Sequence, residues 1–364
     1  MAAGLFASGR VPSVAPTYLL MSEPIYIGID SGATTSKIAA VLSDGSIFPS
    51  ELLQRPTCSE GGTAAVIGAW IGAINEFLTQ HGLEWSQVEG VGLAVPGPRR
   101  SYGVLDTSPN LPAEFDGWNV EDDLRVALER ESGRILPLAL GNDGNLGGVA
   151  EAHRARGTDE CSVVMLAPGS GLGGAYVDAS GMPLDGDTLA GMETGHLAAP
   201  LHLLGTDALT CGCGRDWGCY EMYTSLAGLP GLLERALPRY PGHVLADPSL
   251  GKKERVLKLR GLAQDGDALA LELFDLQAKA MGLLVAELSM AVDPGCFVIG
   301  GGLIDPDSTT VAFRERYLGG IRDTALKYLW PTQRKMLRIV PATLGELSQA
   351  VGAALVARHI AREQ

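Results

Sequence analysis

The chain has 364 residues, of which 46 % are hydrophobic, and its formal net charge at pH 7 is −14. This length exceeds one ordinary compact core and predicts two domains. The acidic balance argues against nucleic acid or an anionic membrane as a partner, because no block of basic residues could neutralise phosphates. No apolar run reaches the roughly 20 residues of a membrane span, and six cysteines with three in one cluster do not resemble a secreted disulfide framework. We therefore expect a cytoplasmic protein whose residues 1–22, without a convincing signal sequence, form a disordered extension.

The first regular pattern is a hairpin with small residues at its tip. Apolar runs over 25–30 and 38–42 predict its two strands. Small residues let the backbone approach a ligand, hydroxyls can bind phosphate oxygens, and an acid can hold Mg²⁺ directly or through water. A plain β-hairpin explains this segment better when it is taken alone. The candidates for nucleotide or Mg²⁺ contacts are Asp30, Gly32, Thr34 and Ser36.

A helix over 63–80 and a buried strand over Val88–Val95 follow. The next loop is too polar for a core, and its Ser108 and Asn110 are candidate ligand contacts, although asparagine beside proline is often a turn former. A strand over 135–140 then leads through Asn142 and Asp143 into a helix over 146–154. Asp143 is a candidate general base and Asn142 an orienting amide, and both residue types also suit a helix N-cap.

A second glycine-rich hairpin lies between predicted strands over 162–167 and 175–177. It has neither the following helix of a dinucleotide-binding fingerprint nor a Walker lysine. Its backbone can still bind a phosphate, and two such hairpins in one chain support phosphate binding more strongly than either does alone. The candidate residues are Gly169, Ser170, Gly171 and Gly173.

Three cysteines and a histidine suggest a tetrahedral Zn²⁺ site with a carboxylate on each side. The soft ligands are His196, Cys211, Cys213 and Cys219, and the carboxylates are Glu193 and Glu221.

The remaining pattern is mostly helical. We predict helices over 222–237, 254–290 (with a turn near Gly266), 311–329 and 347–362, and strands over 297–299 and 337–341. After the strand over 297–299, the side-chain-free run Gly300, Gly301 and Gly302 would let an adenine ring or a ribose lie against the backbone.

Seven of these segments, in order, resemble the motifs of the ROK family of sugar kinases and sugar-responsive repressors, within the actin-like ATPase-domain superfamily. The match runs from about Tyr26 to Ala357. It comprises Gly28-Ile29-Asp30-Ser31-Gly32-Ala33-Thr34, Gly141-Asn142-Asp143 with Ala150-Glu151-Ala152, Gly169 to Gly174, Glu193-Thr194-Gly195-His196, Cys211 to Glu221, Gly300-Gly301-Gly302, and Leu344-Gly345-Glu346 through Ala354.

The resemblance implies an α/β fold of two actin-like (ribonuclease H-like) domains with a cleft between them. The first would span 23–140 and be joined by the last helix, at about 347–364; the second would span 141–346 and carry the zinc loop 196–221. It further implies a glucokinase-like enzyme that transfers a phosphoryl group from Mg²⁺–ATP to the 6-hydroxyl of a hexose, with glucose the leading candidate. Asp143 would be the base, and a structural Zn²⁺ would hold the sugar pocket. The sugar contacts implied are Asn142, Glu193, His196 and Glu221, with Ser108 and Asn110 as additional candidates.

Several alternatives remain open at this point. The acceptor could be N-acetylmannosamine, N-acetylglucosamine or fructose, and the donor could be polyphosphate. A sugar-sensing repressor is disfavoured, because that branch carries a helix-turn-helix before the first phosphate motif. The loop after His196 is longer than usual and contains His202, a rival zinc ligand, and one extra residue separates Cys213 from Cys219; His196 is favoured because its motif is intact. The family also implies a homodimer or homotetramer.

Overall fold

The computed structural model describes residues 23–97, 99–106 and 112–364, and it contains two main β-sheets and one small two-stranded sheet. The first sheet has the strand order β3-β2-β1-β4-β7, and the second has the order β11-β10-β8-β9. The strands are β1 (Ile25–Ser31), β2 (Thr35–Leu42), β3 (Leu53–Pro56), β4 (Val88–Val95), β5 (Arg99–Ser101), β6 (Val104–Leu105), β7 (Leu138–Asn142), β8 (Val163–Pro168), β9 (Leu172–Val177), β10 (Cys296–Ile299) and β11 (Ile339–Pro341).

Helices surround these sheets. The helices are α1 (Gly62–His81), α2 (Val120–Ser132), α3 (Asp143–Arg156), α4 (Leu201–Leu204), α5 (Glu221–Thr224), α6 (Leu229–Ala236), α7 (Lys252–Gln264), α8 (Ala268–Val292), α9 (Val311–Ala325), α10 (Pro331–Met336) and α11 (Ser348–Glu363). Within the described ranges, none of them combines the length and the apolar character that crossing a membrane requires.

Both sheets begin with an antiparallel hairpin and continue with parallel strands. In the first, β1 pairs antiparallel with β2 and parallel with β4, and β4 pairs parallel with β7. In the second, β8 pairs antiparallel with β9 and parallel with β10, which pairs parallel with β11. Strands such as β10, buried along their whole length, are typical of sheets covered by helices on both faces. The tips of the β1–β2 and β8–β9 hairpins therefore occupy corresponding positions in the two sheets.

Helices α3 and α11 pack against each other and join the two sheets. Helix α11 covers β1 and β4 of the first sheet, while α3 also packs against β8 and β9 of the second. The approach of α11 is close, because a β-carbon added at Gly28 in β1 would lie 1.7 Å from the Ala350 carbonyl oxygen. Glycine is the one residue that β1 can carry at this point without moving the helix. The predicted division into domains, with α11 joined to the first, stays a prediction, although this packing is compatible with it.

Most predicted elements are present, and the differences have local causes. The predicted helix over 222–237 is interrupted, because Ser225 is extended and α6 begins only at Leu229. The predicted helix over 146–154 starts earlier, at Asp143, since the Asn142 side chain caps it. Helix α2, strand β3 and the short α4 and α10 are not among the predicted elements. The buried residues of α2, Val120, Leu124, Ala127 and Leu128, recur at helical spacing, so the pattern of this helix is present in the sequence.

Candidate active site

The first candidate loop is a tight turn between β1 and β2. The Gly32 amide donates to the Thr35 carbonyl at 2.9 Å, and Thr34 is exposed at the tip. Asp30, just before the turn, is largely shielded from water, and its Oδ2 lies 4.0 Å from Lys37 Nζ. Burial, only partly opposed by Lys37, raises the pKa of Asp30 to about 6. Ala33, in the middle of the turn, has no positive φ, so its methyl group is compatible with the turn.

Ser36 lies beneath this turn rather than at its surface. Its side chain is 1 % exposed, and its hydroxyl is 2.7 Å from the Thr57 hydroxyl and accepts from Trp70 Nε1 at 3.1 Å. Thr57 in turn donates to the Gly32 carbonyl at 2.8 Å. A hydroxyl engaged in a buried network has little freedom to reach a phosphate. The geometry favours a supporting role for Ser36, which holds the shape of the loop.

Asn142 and Asp143 stand where β7 gives way to α3. The Asn142 side chain accepts from the amides of Gly144 at 2.9 Å and Asn145 at 3.3 Å, which makes it the N-cap. Asp143 follows as the first helical residue, and its Oδ1 also accepts from the Gly144 amide, at 2.8 Å. Burial raises the pKa of the Asp143 carboxyl, although the Gly144 amide opposes the shift.

The two aspartates belong to one electrostatic environment. The negative charge of Asp143 contributes to the raised pKa of Asp30, as does that of Glu346, whose Oε2 lies 3.6 Å from Lys37 Nζ. Lys37 and Glu346 were not among the residues selected from the sequence. Glu346 comes from the segment just before α11, so only the fold brings it to the first loop. The structure thus gathers three acids and one lysine around the β1–β2 tip.

The second candidate loop, between β8 and β9, is fixed by backbone hydrogen bonds within its turn and from a neighbouring segment. The Gly169 amide donates to the Gly171 carbonyl at 2.8 Å, which closes the turn. The carbonyls of Gly169 and Ser170 accept from the amides of Leu226 and Ala227, at 2.9 and 3.1 Å. Ser170 and Gly173 remain exposed. The peptide groups of this loop are therefore held in place by the chain that follows α5.

Glu221 connects this loop to the cysteine cluster. One oxygen, Oε2, accepts from the Leu172 amide at 3.1 Å, and the other, Oε1, lies 3.6 Å from Cys211 Sγ. Glu193, the other carboxylate of the predicted sugar site, is exposed at the start of the short 3-10 turn Thr194–His196. This turn holds Glu193 and His196 three residues apart.

His196, Cys211, Cys213 and Cys219 form a compact group that can hold a metal ion. Their ligand atoms all lie within 4.8 Å of one another. Cys213 and Cys219 have their sulfur atoms 3.7 Å apart, and Cys211 Sγ lies 3.7 Å from His196 Nδ1. A tetrahedral site with Zn–S bonds of about 2.3 Å requires sulfur atoms roughly 3.8 Å apart, so the residues present fit Zn²⁺. His202 is exposed on α4 and lies outside the group. Cys213 and Cys219 are both in the group, so the extra residue between them does not prevent the cluster from forming.

Gly300, Gly301 and Gly302 follow β10 and meet the second loop. Gly301 has a φ of +85°, and a β-carbon there would lie 1.9 Å from the Pro168 carbonyl oxygen. A residue with a side chain would push the two loops apart. A cavity of about 120 Å³ opens beside this contact and is lined in part by Gly169 and Gly302. Ser108 and Asn110, the remaining candidates from the sequence, lie outside the described residues.

Comparison with known proteins gives a consistent result. The ROK family model matches residues 26–360. The chain is 29 % identical to a glucokinase of Halalkalibacterium halodurans, across 78 % of this chain and 82 % of that protein. It is also 29 % identical to an N-acetyl-D-glucosamine kinase of Salmonella paratyphi A, across 80 % and 88 %. The crystal structure of a ROK hexokinase from Thermus thermophilus superposes with a TM-score of 0.68 at 29 % identity and covers 93 % of this chain and 100 % of that one.

Proposed function

The chain belongs to the ROK family, and from that premise we propose that it transfers the γ-phosphoryl group of ATP to the 6-hydroxyl of glucose. It is a hexokinase-type phosphotransferase with the two-domain actin-like α/β fold. The observation that carries the finer proposal is the placement of Asp143, a shielded carboxylate at the N-terminus of α3 that shares an electrostatic environment with the β1–β2 loop.

Asp143 would take the proton of the sugar hydroxyl as that oxygen attacks phosphorus. Phosphoryl transfer depends mainly on positioning and charge stabilisation, so the base must sit within hydrogen-bond reach of the hydroxyl. The Gly144 amide and the Asn142 cap hold this part of the backbone fixed. Asn142, Glu193, His196 and Glu221 would bind the sugar hydroxyls, because hydroxyl groups buried without partners are costly.

The two hairpin tips and the glycine run would bind ATP. The backbone amide of Gly171, with the hydroxyls of Thr34 and Ser170, suits phosphate oxygens. The amides of Gly32 and Gly169 close the two turns, and the missing side chains at these positions let a phosphate approach the backbone. Asp30 supplies the hard oxygen ligand that Mg²⁺ prefers, directly or through water. When bound, Mg²⁺ would neutralise charge on the phosphates. Ser36 would support the first loop from beneath.

The cysteine cluster would hold a structural Zn²⁺ with no open coordination position. With His196 and three cysteines as ligands, the ion would fix the 3-10 turn that carries Glu193 and the start of α5 that carries Glu221. Its contribution to the reaction is therefore indirect. An enzyme that uses ATP and carries a zinc site of reduced thiols suits the cytoplasm. A homodimer or homotetramer stays a prediction.

N-acetyl-D-glucosamine is the second candidate acceptor, because one of the relatives at 29 % identity is a kinase for that sugar. A panel of glucose, N-acetylglucosamine, N-acetylmannosamine and fructose, each with ATP or polyphosphate and Mg²⁺, tests both candidates. We expect the highest kcat/KM with glucose and ATP. Sugar phosphate formed from none of these acceptors would reject the proposed function, and a clear preference for N-acetylglucosamine would replace glucose.

The decrease of kcat/KM at low pH should report the pKa values of the shielded carboxyl groups of Asp143 and Asp30. Asp143 must be ionised to accept a proton, and burial raises its pKa, so kcat/KM should fall about tenfold per pH unit below that pKa. The fall should begin above the pKa of about 3.9 of an ordinary aspartate. Steady-state kinetics from pH 4.5 to 8 would measure it, and Asp30, whose pKa burial raises to about 6, should contribute to the same fall through its role with Mg²⁺. A flat profile down to pH 4.5 would contradict a shielded base.

A further inference from the structure

The cavity beside the glycine run has mainly apolar walls, although Arg260, Thr224 and Ser225 also line it, and it contains one buried polar side chain with an unpaired atom. Pro168, Gly169 and Gly302 line it on the side of the two loops, and Leu226, Leu229 and Phe274 supply apolar surface. Gln277, on α8, also lines the cavity and is 1 % exposed. Mainly apolar walls next to glycine-rich backbone suit an aromatic ring better than a sugar, whose hydroxyls would each need a partner.

The Ser225 carbonyl determines the orientation of the Gln277 side-chain amide. Its Nε2 donates to the Ser225 carbonyl oxygen at 3.0 Å. A carbonyl can only accept, so the NH₂ group must face Ser225 and the oxygen must face the other way. Among the described residues, Oε1 has no hydrogen-bond partner. A buried acceptor without a partner is unfavourable, and a ligand that donates a hydrogen bond to it would remove that cost.

We propose that Gln277 Oε1 accepts a hydrogen bond from the 6-amino group of adenine and makes this kinase select adenine nucleotides over purine nucleotides with a 6-oxo group. This inference rests on the proposed function, since it takes the phosphates of the same nucleotide to lie on the glycine-rich loops. A 6-oxo group would place an acceptor against an acceptor. Turning the amide over would not help, because its oxygen would then face the Ser225 carbonyl. Gln277 is thus a specificity-determining residue.

Calorimetric titration of the full chain with ADP and with IDP tests this directly. IDP carries a 6-oxo group in place of the 6-amino group of ADP and a proton on the adjacent N1, and binding is measured without turnover. The unmodified protein should bind ADP about 10- to 100-fold more tightly than IDP, the range expected when one buried hydrogen bond is replaced by an unpaired acceptor. In Gln277→Met, which keeps the length of the side chain and removes its polar atoms, the ratio should fall to within about threefold.

Gln333→Met is the matched control. Gln333 also donates through Nε2 to a backbone carbonyl, that of Ser289 at 3.0 Å, but it lies outside the cavity lining. This variant should keep the full ADP preference. If Gln277→Met does not fold, the ratio for the unmodified protein decides, and equal binding of ADP and IDP overturns the inference. A Gln277→Met protein that keeps the preference also overturns it.

The kinase assays separate this inference from the proposed function. Failure to phosphorylate any sugar, together with a strong ADP preference that depends on Gln277, would reject the reaction and leave the base selectivity standing. Efficient sugar phosphorylation by ATP and ITP alike, with equal ADP and IDP binding, would reject Gln277 and leave the reaction standing.

Discussion

Replacing Asp143 by asparagine should lower kcat by about 10²- to 10⁴-fold, the contribution typical of a positioned general base. Glucose affinity should change by no more than about threefold, because an amide keeps the size of the side chain and its NH₂ group can donate to the oxygen of a sugar hydroxyl. The amide oxygen can still accept from the Gly144 amide, which Asp143 Oδ1 now does at 2.8 Å, so α3 should keep its first turn. Coupled ADP release measures kcat, and calorimetry measures glucose binding.

Asp122→Asn is the matched control for this experiment. Asp122 is also an acid in the first turn of a helix, α2, and therefore experiences a similar helix dipole without a place at the candidate site. Its kcat should equal that of the unmodified protein. An Asp143→Asn variant with unchanged kcat would remove Asp143 from the mechanism, whereas loss of glucose binding with intact folding would assign it to the sugar instead.

The second large effect concerns the metal. The purified protein should contain about one Zn²⁺ per chain, and Cys211→Ser should lose it, because the four ligand atoms form one closed set. We expect a loss of at least about 3 kcal/mol of stability, or roughly 6–12 °C in Tm for a domain of this size. The KM for glucose should rise, because Glu221 adjoins Cys211 and His196 is itself a ligand.

Metal content, Tm and KM can be measured on the same samples. Cys58→Ser is the control, since Cys58 is exposed and lies outside the cluster. Treatment of the unmodified protein with a chelator should reproduce the Cys211→Ser phenotype, which separates loss of the metal from the cost of a buried hydroxyl. A protein that binds no zinc, or a Cys211→Ser variant that keeps it, would contradict the structural role.

The sequence predicted the local parts of this site well, because turns and metal ligands have short-range signatures. The strand ahead of Asp30, the turn at Gly32 and the group of three cysteines could all be located without coordinates. The choice of His196 over His202 rested on motif context, and the structure places His196 in the cluster. The roles proposed for the individual residues stay predictions.

What the sequence could not supply was proximity between distant residues. Nothing near Glu346 indicates that it lies beside Lys37, since the two meet only after α11 has packed on β1. Likewise, the sequence shows Gln277 only as a residue of a long apolar helix, and its contact with the Ser225 carbonyl becomes visible only in the fold. Ser36 is a further case, because a hydroxyl close to a glycine turn suggested a ligand contact, and only the structure shows that alternation along β2 buries this side chain.

The packing of α11 on β1 and β4 also orders events during synthesis. The chain is made from its N-terminus, so the first sheet emerges long before the helix that covers one of its faces. The contact at Gly28 and Ala350 joins residues near opposite ends of the described chain and is closed only after the second sheet has been translated. Until then β1 and β4 expose apolar surface, the condition under which nascent chains aggregate or recruit chaperones.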